Sequence, residues 1–309
     1  MDEIAVVYLY RFREGEEPAR NFLESYKRFP AGIKHRLYVI LKGFPDERRV
    51  QQARAIFGQD IHVLIQSDYG FDIGSYVFAA KEISCHNVMF LNTFSEILAR
   101  DWLLHFRQAL SLSGVGLVGA TGSWHANTSG YEAIFYQALR MLFLSRSKCP
   151  QNGEPFNSIS QRRKVLLGPR PLRSLLLEPL RYARYLFEYG RYPNPHIRTN
   201  AFMLERERFL TLKFPEFGDK SSAYKFESGR RSMTRQIING GSEPVVIDKT
   251  GNVFYRNDWS LSLTFWAGVQ DGLLISDNRT RAYAEGDEEY KHLLHDYAWV
   301  HPALWRKRF

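Results

Sequence analysis

Short apolar runs alternate with amphipathic segments over the first third of the chain, and this alternation constrains the fold more than any other feature. Helical spacing of apolar residues fills the gaps between the runs. Strands of this length that alternate with helices form parallel sheets covered on both faces. The predicted strands are 4–10, 37–41, 61–65 and 88–91, and the predicted helices are 18–29, 46–57 and a segment that ends near residue 83.

The rest of the chain continues this α/β pattern around one long insertion. We predict a mostly parallel sheet flanked by helices, with a basic helical insertion and an aromatic-rich C-terminal segment. The chain divides into a ligand-binding half (1–125), the insertion (126–195) and a second half of the same domain (196–309). The later predicted elements are helix 101–110, strand 115–120, strand 197–204, helix 227–239 and the short strand 243–248.

Composition narrows the class of protein. A hydrophobic content of 44% over 309 residues is enough for a large core, and the formal net charge of +9 favours anionic partners. Cys85 and Cys149 lack the spacing of a zinc site or a disulfide framework, which favours a reducing compartment. The first residues have no basic region before an apolar stretch, and no apolar run approaches the roughly 18 residues of a spanning helix. We therefore expect a cytoplasmic protein whose membrane contact, if any, is peripheral.

The insertion is basic and amphipathic between about residues 148 and 195. Two interpretations stay open: a solvated helical excursion, or a docking surface for anionic lipid at the inner face of a membrane. Nucleic-acid binding is disfavoured, because no RNP, KH or helix-turn-helix pattern accompanies the charge. The basic residues are Arg162, Arg163, Lys164, Arg170, Arg173, Arg181, Arg184 and Arg191.

Polar residues follow three of the predicted strands. Ligands of parallel sheets bind outside the carboxyl ends of the strands, so 8–11, 68–72 and 92–96 should face one crevice. Asp72 stands in a glycine-flanked turn before a helix, where its carboxylate can accept hydrogen bonds from a sugar hydroxyl or simply cap the helix. The candidate ligand-binding residues here are Tyr8, Tyr10, Arg11, Asp68, Asp72, Asn92 and Thr93.

The turn Asp68-Tyr69-Gly70-Phe71-Asp72-Ile73-Gly74 and the strand end Val88-Met89-Phe90-Leu91-Asn92-Thr93 together resemble known enzymes. They are similar to the turn and strand end of rhamnan-synthesis-type and other family-2-like bacterial polysaccharide glycosyltransferases. The resemblance covers about residues 1–125, and 196–250 more loosely. It implies a GT-A-like, Rossmann-type fold. It also implies that a nucleoside diphosphate sugar serves as donor, binding at the candidate residues above, and that a hexosyltransferase-like activity passes its sugar to a saccharide or lipid-linked glycan of capsule or lipopolysaccharide.

The resemblance also implies a DxD motif that holds Mg²⁺ or Mn²⁺ against the donor diphosphate. Here Asn92-Thr93-Phe94 stands at that place, and the nearest acid is Glu96. Asn92 and Glu96 are candidate metal ligands, but one neutral ligand holds Mg²⁺ weakly, so metal dependence stays open. The missing motif leaves a second function open, that of a non-catalytic transferase-like partner in a polysaccharide assembly complex.

The segment 226–236 places Glu227 at the start of the predicted helix, with Arg230 and Arg231 one turn later. The resemblance implies a carboxylate base for direct displacement at the anomeric carbon, which makes Glu227 the candidate and Asp219 the runner-up. Arg230 and Arg231 are then candidate phosphate partners. An acid in a first helical turn is also favoured by the helix dipole without any function.

Further candidates for phosphate or acceptor contacts lie after predicted strands and in a polar run. Trp124 and His125 follow the strand 115–120, and His196, Arg198 and Asn200 belong to the run 195–202. Aromatic rings stack on sugars and imidazole bonds a hydroxyl, although such a Trp is more often core and such a run can be an exposed strand start. We expect the aromatic tail to pack over the site and to close on the donor, through Trp259, Phe265, Trp266, Asp277, Asn278, Arg279, Thr280, Tyr283 and Trp299.

Overall fold

An eight-stranded sheet lies at the centre of the protein, whose computed structural model describes residues 3–58, 61–130, 132, 172–217 and 219–305. The eight strands are β1 (Ile4–Arg11), β2 (Arg36–Lys42), β3 (His62–Gln66), β4 (Asn87–Leu91), β6 (Val115–Gly119), β9 (Ala201–Glu205), β10 (Glu243–Ile247) and β11 (Val253–Phe254). Two further pairs join β5 (Glu96–Ile97) to β12 (Ile275–Ser276) and β7 (Gly122–Ser123) to β8 (His196–Ile197).

The strand order in the large sheet is β11-β10-β6-β9-β4-β1-β2-β3. Four neighbouring pairs are parallel: β1 with β2, β1 with β4, β2 with β3, and β6 with β10. Only β9 and β11 run antiparallel to their neighbours in this sheet as described. The predicted α/β class with a mostly parallel sheet is confirmed.

Helices cover both faces of the sheet. They are α1 (Glu17–Arg28), α2 (Glu47–Phe57), α3 (Phe71–Glu82), α4 (Trp102–Leu110), α5 (Leu172–Tyr189), α6 (Arg206–Leu210), α7 (Lys220–Ser228), α8 (Met233–Asn239), α9 (Asn278–Ala284) and α10 (Glu288–Trp299). Side chains that accept a backbone N–H begin several of them, as Asp46 does for α2. In the part of the chain that the structure describes, no helix is both long and apolar enough to cross a membrane.

Alternate residues of β1 face the two layers of helices. Val7 and Leu9 pack on the side of α3, whereas Val6, Tyr8 and Tyr10 pack on the side of α1, α2 and α4. The chain passes from β1 through α1 and α2 to β3, then returns through α3 to β4 on the other side of β1. The strand order therefore reverses between β1 and β4, which is where open α/β sheets bind ligands.

Two predicted elements of the second half are wrong in their extent. The strand 197–204 is split into β8 and β9, because residues 198–200 leave the small sheet before β9 joins the large one. The helix 227–239 is two helices, because α7 ends before Gly229 and the side chain of Ser232 accepts the Arg235 N–H at 3.3 Å to begin α8.

Part of the insertion lies outside the described residues. This part includes Arg162, Arg163, Lys164, Arg170 and Cys149. The described remainder contains α5, and the thiol of Cys85 is free and buried. The second half of the chain, 196–309, supplies β9, β10 and β11 to the same sheet as β1 to β4.

Candidate functional site

Polar backbone and side-chain groups meet at one edge of the sheet, where β4 and β6 end and β9 begins. The Asn92 N–H donates to the Asn200 carbonyl oxygen at 2.8 Å, and the Arg198 N–H donates to the Thr121 carbonyl oxygen at 3.1 Å. Because β9 is antiparallel, its first residues lie beside the carboxyl ends of β4 and β6. The polar run 198–200 is therefore at the ligand-binding edge.

A cavity of about 210 Å³ lies next to these residues. Its wall mixes aromatic rings with groups that donate or accept hydrogen bonds. Loops after β7 and β8, helix α7 and the C-terminal segment all contribute to it. The lining residues are Ser123, His125, Asn127, His196, Arg198, Tyr224, Glu227, Ser228, Phe265, Trp266, Arg279 and Tyr297.

Glu227 is the carboxylate in the wall of this cavity. Its Oε2 accepts hydrogen bonds from the Thr199 N–H at 3.2 Å and the Thr199 hydroxyl at 2.5 Å. Its Oε1 makes no hydrogen bond with the described part of the chain. Burial by itself would raise the pKa of Glu227, but Arg198, His196, the Thr199 hydrogen bond and Arg279 together lower it. The carboxylate is therefore charged at neutral pH and has one oxygen available.

The position of Glu227 in its helix differs from the prediction. It lies in the last turn of α7, where the helix dipole disfavours a carboxylate. The explanation by a first-turn dipole contact is therefore wrong. Asp219, the runner-up base, caps the other end of α7 by accepting the Ser222 N–H at 2.7 Å, and it is exposed. Eight residues of helix separate the two carboxylates by about 12 Å.

Two arginines near Glu227 differ in their pairing. Arg198 is buried, its Nη2 donates to Asp277 Oδ2 at 2.7 Å, and its guanidinium lies 4.2 Å from the centre of the Phe265 ring. Asp277 Oδ1 in turn begins α9 by accepting the Thr280 N–H at 2.8 Å. Arg279, in the first turn of α9, is exposed, and its guanidinium has no acidic partner among the described residues. Arg279 is the positive charge that this cavity can offer to an anion.

Two neutral histidines complete the polar wall. His196 Nδ1 donates to the Asn194 carbonyl oxygen at 2.8 Å, so its Nε2 is the acceptor nitrogen. His125 stacks on Tyr297 with 3.8 Å between ring centres, and its buried Nε2 has no hydrogen-bond partner. Burial lowers the pKa of both imidazoles, that of His125 strongly. Both can exchange hydrogen bonds with a neutral hydroxyl.

A second group of charges, which we name the strand-end cluster, consists of Arg11, Lys42, Asp68 and Asp72. Arg11 donates to both carboxylate oxygens of Asp68, at 2.7 and 2.9 Å. Lys42 is fully buried, and its Nζ donates to the Ser75 hydroxyl at 3.0 Å and to the Phe71 carbonyl oxygen. Burial lowers the pKa of Lys42 to about 8, against the opposing charge of Asp72.

Sequence analysis missed Lys42, although one signal could have found it. It is a charged residue directly after five apolar strand residues, and lysine is almost never fully buried without partners. The partners are on the first turns of α3, which contains Asp72. Lys42 therefore fixes the start of α3 against the end of β2.

Asp72 is the second residue of α3 and does not cap it. Gly70 occupies the capping position, in the left-handed conformation with φ 84° and without a side-chain bond. Capping as the explanation of Asp72 is therefore wrong. The carboxylate is half-buried and makes no hydrogen bond with the described residues. Burial raises its pKa, Lys42 and Arg11 oppose this, and the charge of Glu227 adds to it, so the strand-end cluster and the cavity share one electrostatic environment.

Three other candidates face the core. The ring of Tyr8 stacks on Phe22 at 3.8 Å, and its hydroxyl donates to the carbonyl oxygen of Thr93, which is itself buried. Tyr10 packs edge-on against Phe44 at 5.1 Å. The expectation that 8–11, 68–72 and 92–96 share one crevice is wrong for Tyr8, Tyr10 and Thr93, because the two tyrosines lie under α1 and α2 and Thr93 is buried. Neither Asp72 nor Asn92 lines the cavity that contains Glu227.

The candidate metal ligands are engaged by protein groups. Asn92 Oδ1 accepts the Phe94 N–H at 3.1 Å and the Ser95 hydroxyl at 3.0 Å. Glu96 forms an ion pair with Arg281 at 3.0 Å. Across the described ranges no group of three His, Cys, Asp or Glu side chains is placed to hold a metal ion. Asn92 and Glu96 therefore do not fit a divalent cation.

Other predicted contacts lie outside the cavity. Arg230 is exposed and donates to the Leu186 carbonyl oxygen at 2.9 Å, and Arg231 is exposed beside it. Trp124 donates to the Arg256 carbonyl oxygen at 2.9 Å and packs against Trp299.

Asn200 and the aromatic tail have mixed positions. Asn200 accepts the Thr121 hydroxyl at 2.8 Å, while its buried amide nitrogen has no partner. Of the tail, Phe265, Trp266 and Arg279 line the cavity, whereas Trp259, Thr280 and Tyr283 are buried in the core. The lining residues that sequence analysis missed are Ser123, Asn127, Tyr224, Ser228 and Tyr297.

Comparison with known proteins gives distant likenesses only. No family model and no curated protein matches the chain. Among solved structures, a protein from Desulfovibrio desulfuricans G20 inferred to be a nucleotide-diphospho-sugar transferase is similar over 38% of this chain and 58% of its own, with 14% identity and a TM-score of 0.28.

Glucosyl-3-phosphoglycerate synthase from Mycobacterium tuberculosis, solved with Mn²⁺, UDP and glucosyl-3-phosphoglycerate, is similar over 70% of this chain and 62% of its own, with 14% identity and a TM-score of 0.32. The chain thus spans less than two thirds of the length of either structure. Scores this low do not establish a shared family or a shared activity. The α/β class of this protein follows from its own sheet and helices.

Proposed function

We propose that the protein is a glycosyltransferase that moves a sugar from a nucleoside diphosphate sugar to a saccharide or lipid-linked glycan. The observation that carries this proposal is the charged, half-buried carboxylate of Glu227, with one oxygen unpartnered, in a cavity walled by aromatic rings and the unpaired Arg279. The resemblance of the segments 68–74 and 88–93 supports the narrower role in bacterial surface polysaccharide synthesis.

The strand-end cluster is the proposed donor-nucleotide site. The carboxyl group of Asp72 has no hydrogen-bond partner among the residues that the structure describes, and such a group accepts hydrogen bonds from ribose hydroxyls or a base N–H. The site lies at the carboxyl ends of β1 to β3, next to the point where the strand order reverses. We expect the guanidinium of Arg279, in the cavity wall, to balance negative charge on the departing diphosphate.

The proposed reaction is a direct displacement. The Oε1 of Glu227 takes the proton of an acceptor hydroxyl while the hydroxyl oxygen bonds to the anomeric carbon of the donor sugar. The bond from that carbon to the diphosphate oxygen breaks, and the diphosphate leaves with the electron pair. His125 and His196 exchange hydrogen bonds with the other acceptor hydroxyls, and Trp266 offers an aromatic face to a sugar ring.

The test of this reaction compares substitutions of two carboxylates at opposite ends of α7, Glu227 and Asp219. Glu227→Gln keeps an oxygen that accepts from Thr199 but cannot take a proton, so we expect turnover to fall by about 10²–10⁴-fold while nucleotide binding stays. Asp219→Asn is the matched control, because Asn also caps α7. Release of nucleoside diphosphate from UDP-, GDP-, CDP- and dTDP-sugars, with and without glycan acceptors, measures the first effect, and calorimetry measures the second.

Separate measurements of nucleotide binding and of turnover distinguish the two ways in which this proposal can fail. A ligand at 100 times its Kd adds about 2.7 kcal/mol of stability, so a bound nucleotide raises the melting temperature. Absence of a shift with all four nucleoside diphosphates would refute the proposal. A shift without turnover of any donor, in wild-type protein, would instead favour the non-catalytic partner in an assembly complex.

A further inference from the structure

Helix α5 exposes one face that contains large apolar side chains. Leu180, Ala183, Arg184 and Phe187 are all exposed, and their spacing of three, four and seven residues puts them on one side of the helix. Arg191, two residues after the helix ends, is also exposed. The exposed fraction is 68% for Leu180 and 81% for Phe187. We name these five residues the α5 outer face.

The surroundings of this face are positively charged. The acid next to it, Glu188, has a side chain that is only 18% exposed and is shared by Arg184 at 3.1 Å and Lys225 at 2.9 Å. The Arg230 N–H donates to the Glu188 carbonyl oxygen at 2.8 Å, which brings the exposed Arg230 and Arg231 to the same region. Among the charged residues named here, all of them in the described ranges, four cations therefore stand against one acid.

The other side of α5 faces the cavity wall. Tyr189 is buried, and the ring of Tyr185 lies 5.6 Å from it. The phenol of Tyr189 forms a hydrogen bond with the side chain of Asn127, which lines the cavity. The ion pair of Glu188 with Lys225 ties α5 to α7, the helix that contains Glu227. The α5 outer face thus lies on the side of the helix away from the cavity wall.

We propose that the α5 outer face binds the surface of an anionic lipid bilayer. Phe187 and Leu180 enter the boundary between headgroups and acyl chains, and the arginines pair with anionic headgroups, as on interfacial amphipathic helices. Charge argues against a second copy of the chain as the occupant, because a two-fold contact through this face would bring the arginines of both copies together.

Vesicle binding tests the proposal. We expect the full chain to sediment with vesicles of phosphatidylcholine and phosphatidylglycerol, and not with phosphatidylcholine alone. Phe187→Glu should weaken this binding at least about tenfold, through loss of the buried ring. Val269→Glu, at a residue 73% exposed outside this face, is the matched control and should bind like wild type. Arg184→Gln and Arg191→Gln should each weaken binding about fivefold, and added salt should do the same.

Other outcomes assign the face to other occupants and overturn the proposal. Failure to bind the anionic vesicles would do so, as would equal losses for Phe187→Glu and Val269→Glu. A self-association that Phe187→Glu abolishes would assign the face to a second copy. A lowered melting temperature of Phe187→Glu, with unchanged vesicle binding, would show that another part of this chain covers Phe187. Because vesicle binding needs no turnover, these results stand apart from the proposed function.

Discussion

The strand-end cluster and the cavity around Glu227 both hold charges at the same edge of the sheet, but they use them differently. In the strand-end cluster Arg11 and Asp68 satisfy each other, and Lys42 is bound to the start of α3, so Asp72 is the member without a hydrogen-bond partner in the described part of the chain. In the cavity Glu227 Oε1 and the guanidinium of Arg279 have no hydrogen-bonding or ionic partner among the described residues. We expect the first arrangement to suit binding and the second to suit proton transfer.

The ion pairs of the two regions also differ in burial. The side chains of Arg198 and Asp277 are 7% and 1% exposed, whereas those of Arg11 and Asp68 are 15% and 41% exposed. Breaking a buried pair leaves an uncompensated charge, but an exposed pair is screened by solvent. The comparison therefore predicts unequal effects when each pair is broken.

The largest expected effect is on folding. Arg198→Met leaves the carboxylate of Asp277 buried without its cation, so we expect the free energy of unfolding to fall by about 3–5 kcal/mol. Urea denaturation followed by circular dichroism measures this change. A loss no greater than that of Arg11→Met, made in the exposed pair, would contradict the comparison.

The next effect separates binding from chemistry. Asp72→Asn removes a carboxyl group whose hydrogen bonds to a ligand are worth about 1.5–3 kcal/mol, so the Kd for the preferred nucleoside diphosphate should rise at least tenfold. Calorimetric titration measures this Kd, and Glu227→Gln should leave it unchanged. Weaker binding in Glu227→Gln than in Asp72→Asn would reverse the roles that we give to the two regions.

A smaller effect concerns pH. Lys42, with a pKa of about 8, is charged below that pH and neutral above it, so the strand-end cluster loses one positive charge as the pH rises through 8. Nucleoside diphosphate affinity should therefore fall a few-fold between pH 7 and pH 9, by roughly 1 kcal/mol or less at solvent-screened distances. In Lys42→Met the affinity should not change with pH over this range, and an unchanged pH dependence in that variant would exclude Lys42 as the titrating group.

Unfolding of the protein does not explain the expected fall in nucleoside diphosphate affinity between pH 7 and pH 9. The pKa of Lys42 is below its ordinary value of 10.5 in the folded protein, so between about pH 8 and 10.5 the unfolded chain binds more protons than the folded one. The contribution of Lys42 to the free energy of unfolding therefore increases with pH in this window. Melting temperatures at pH 7 and pH 9 check that the fold is retained.

The smallest expected effect is in the exposed pair. Arg11→Met should lower the free energy of unfolding by about 0.2–1 kcal/mol, because solvent screens Asp68 and leaves it hydrated when alone. Denaturation in urea under the conditions used for Arg198→Met gives the comparison. A loss of several kcal/mol would show that Arg11 holds β1 and β3 together.

Local pattern was enough for the first half of the fold. The bounds of β1 to β4 lie within one residue of the predicted strands, since an apolar run between turn residues specifies a buried strand without help from distant parts of the chain. The prediction of one helix over 227–239 was wrong at Gly229. The apolar residues keep helical spacing across this turn, and the break depends on the cap by the Ser232 side chain and on the packing of α8.

The cavity was predictable only in part. His125, His196, Arg198 and Glu227 were named from the sequence and line it, because each stands in a dense polar segment next to a predicted strand or helix. Tyr224 and Tyr297 gave no such signal, since an isolated tyrosine on a helix looks the same whether it faces the core or a ligand.

By itself the sequence determined the alternation of strands and helices, the positive charge, and the placing of polar residues after strands, because these depend on neighbours a few residues apart. Only the tertiary structure decided which face of β1 holds Tyr8 and Tyr10, that Glu227 ends a helix, and that Arg198 pairs with Asp277 while Arg279 does not. A strand residue can face either side of the sheet, and a charged side chain can pair with any of several opposite charges. The fold makes both choices, because crossover connections and burial bring together residues that are far apart in the chain.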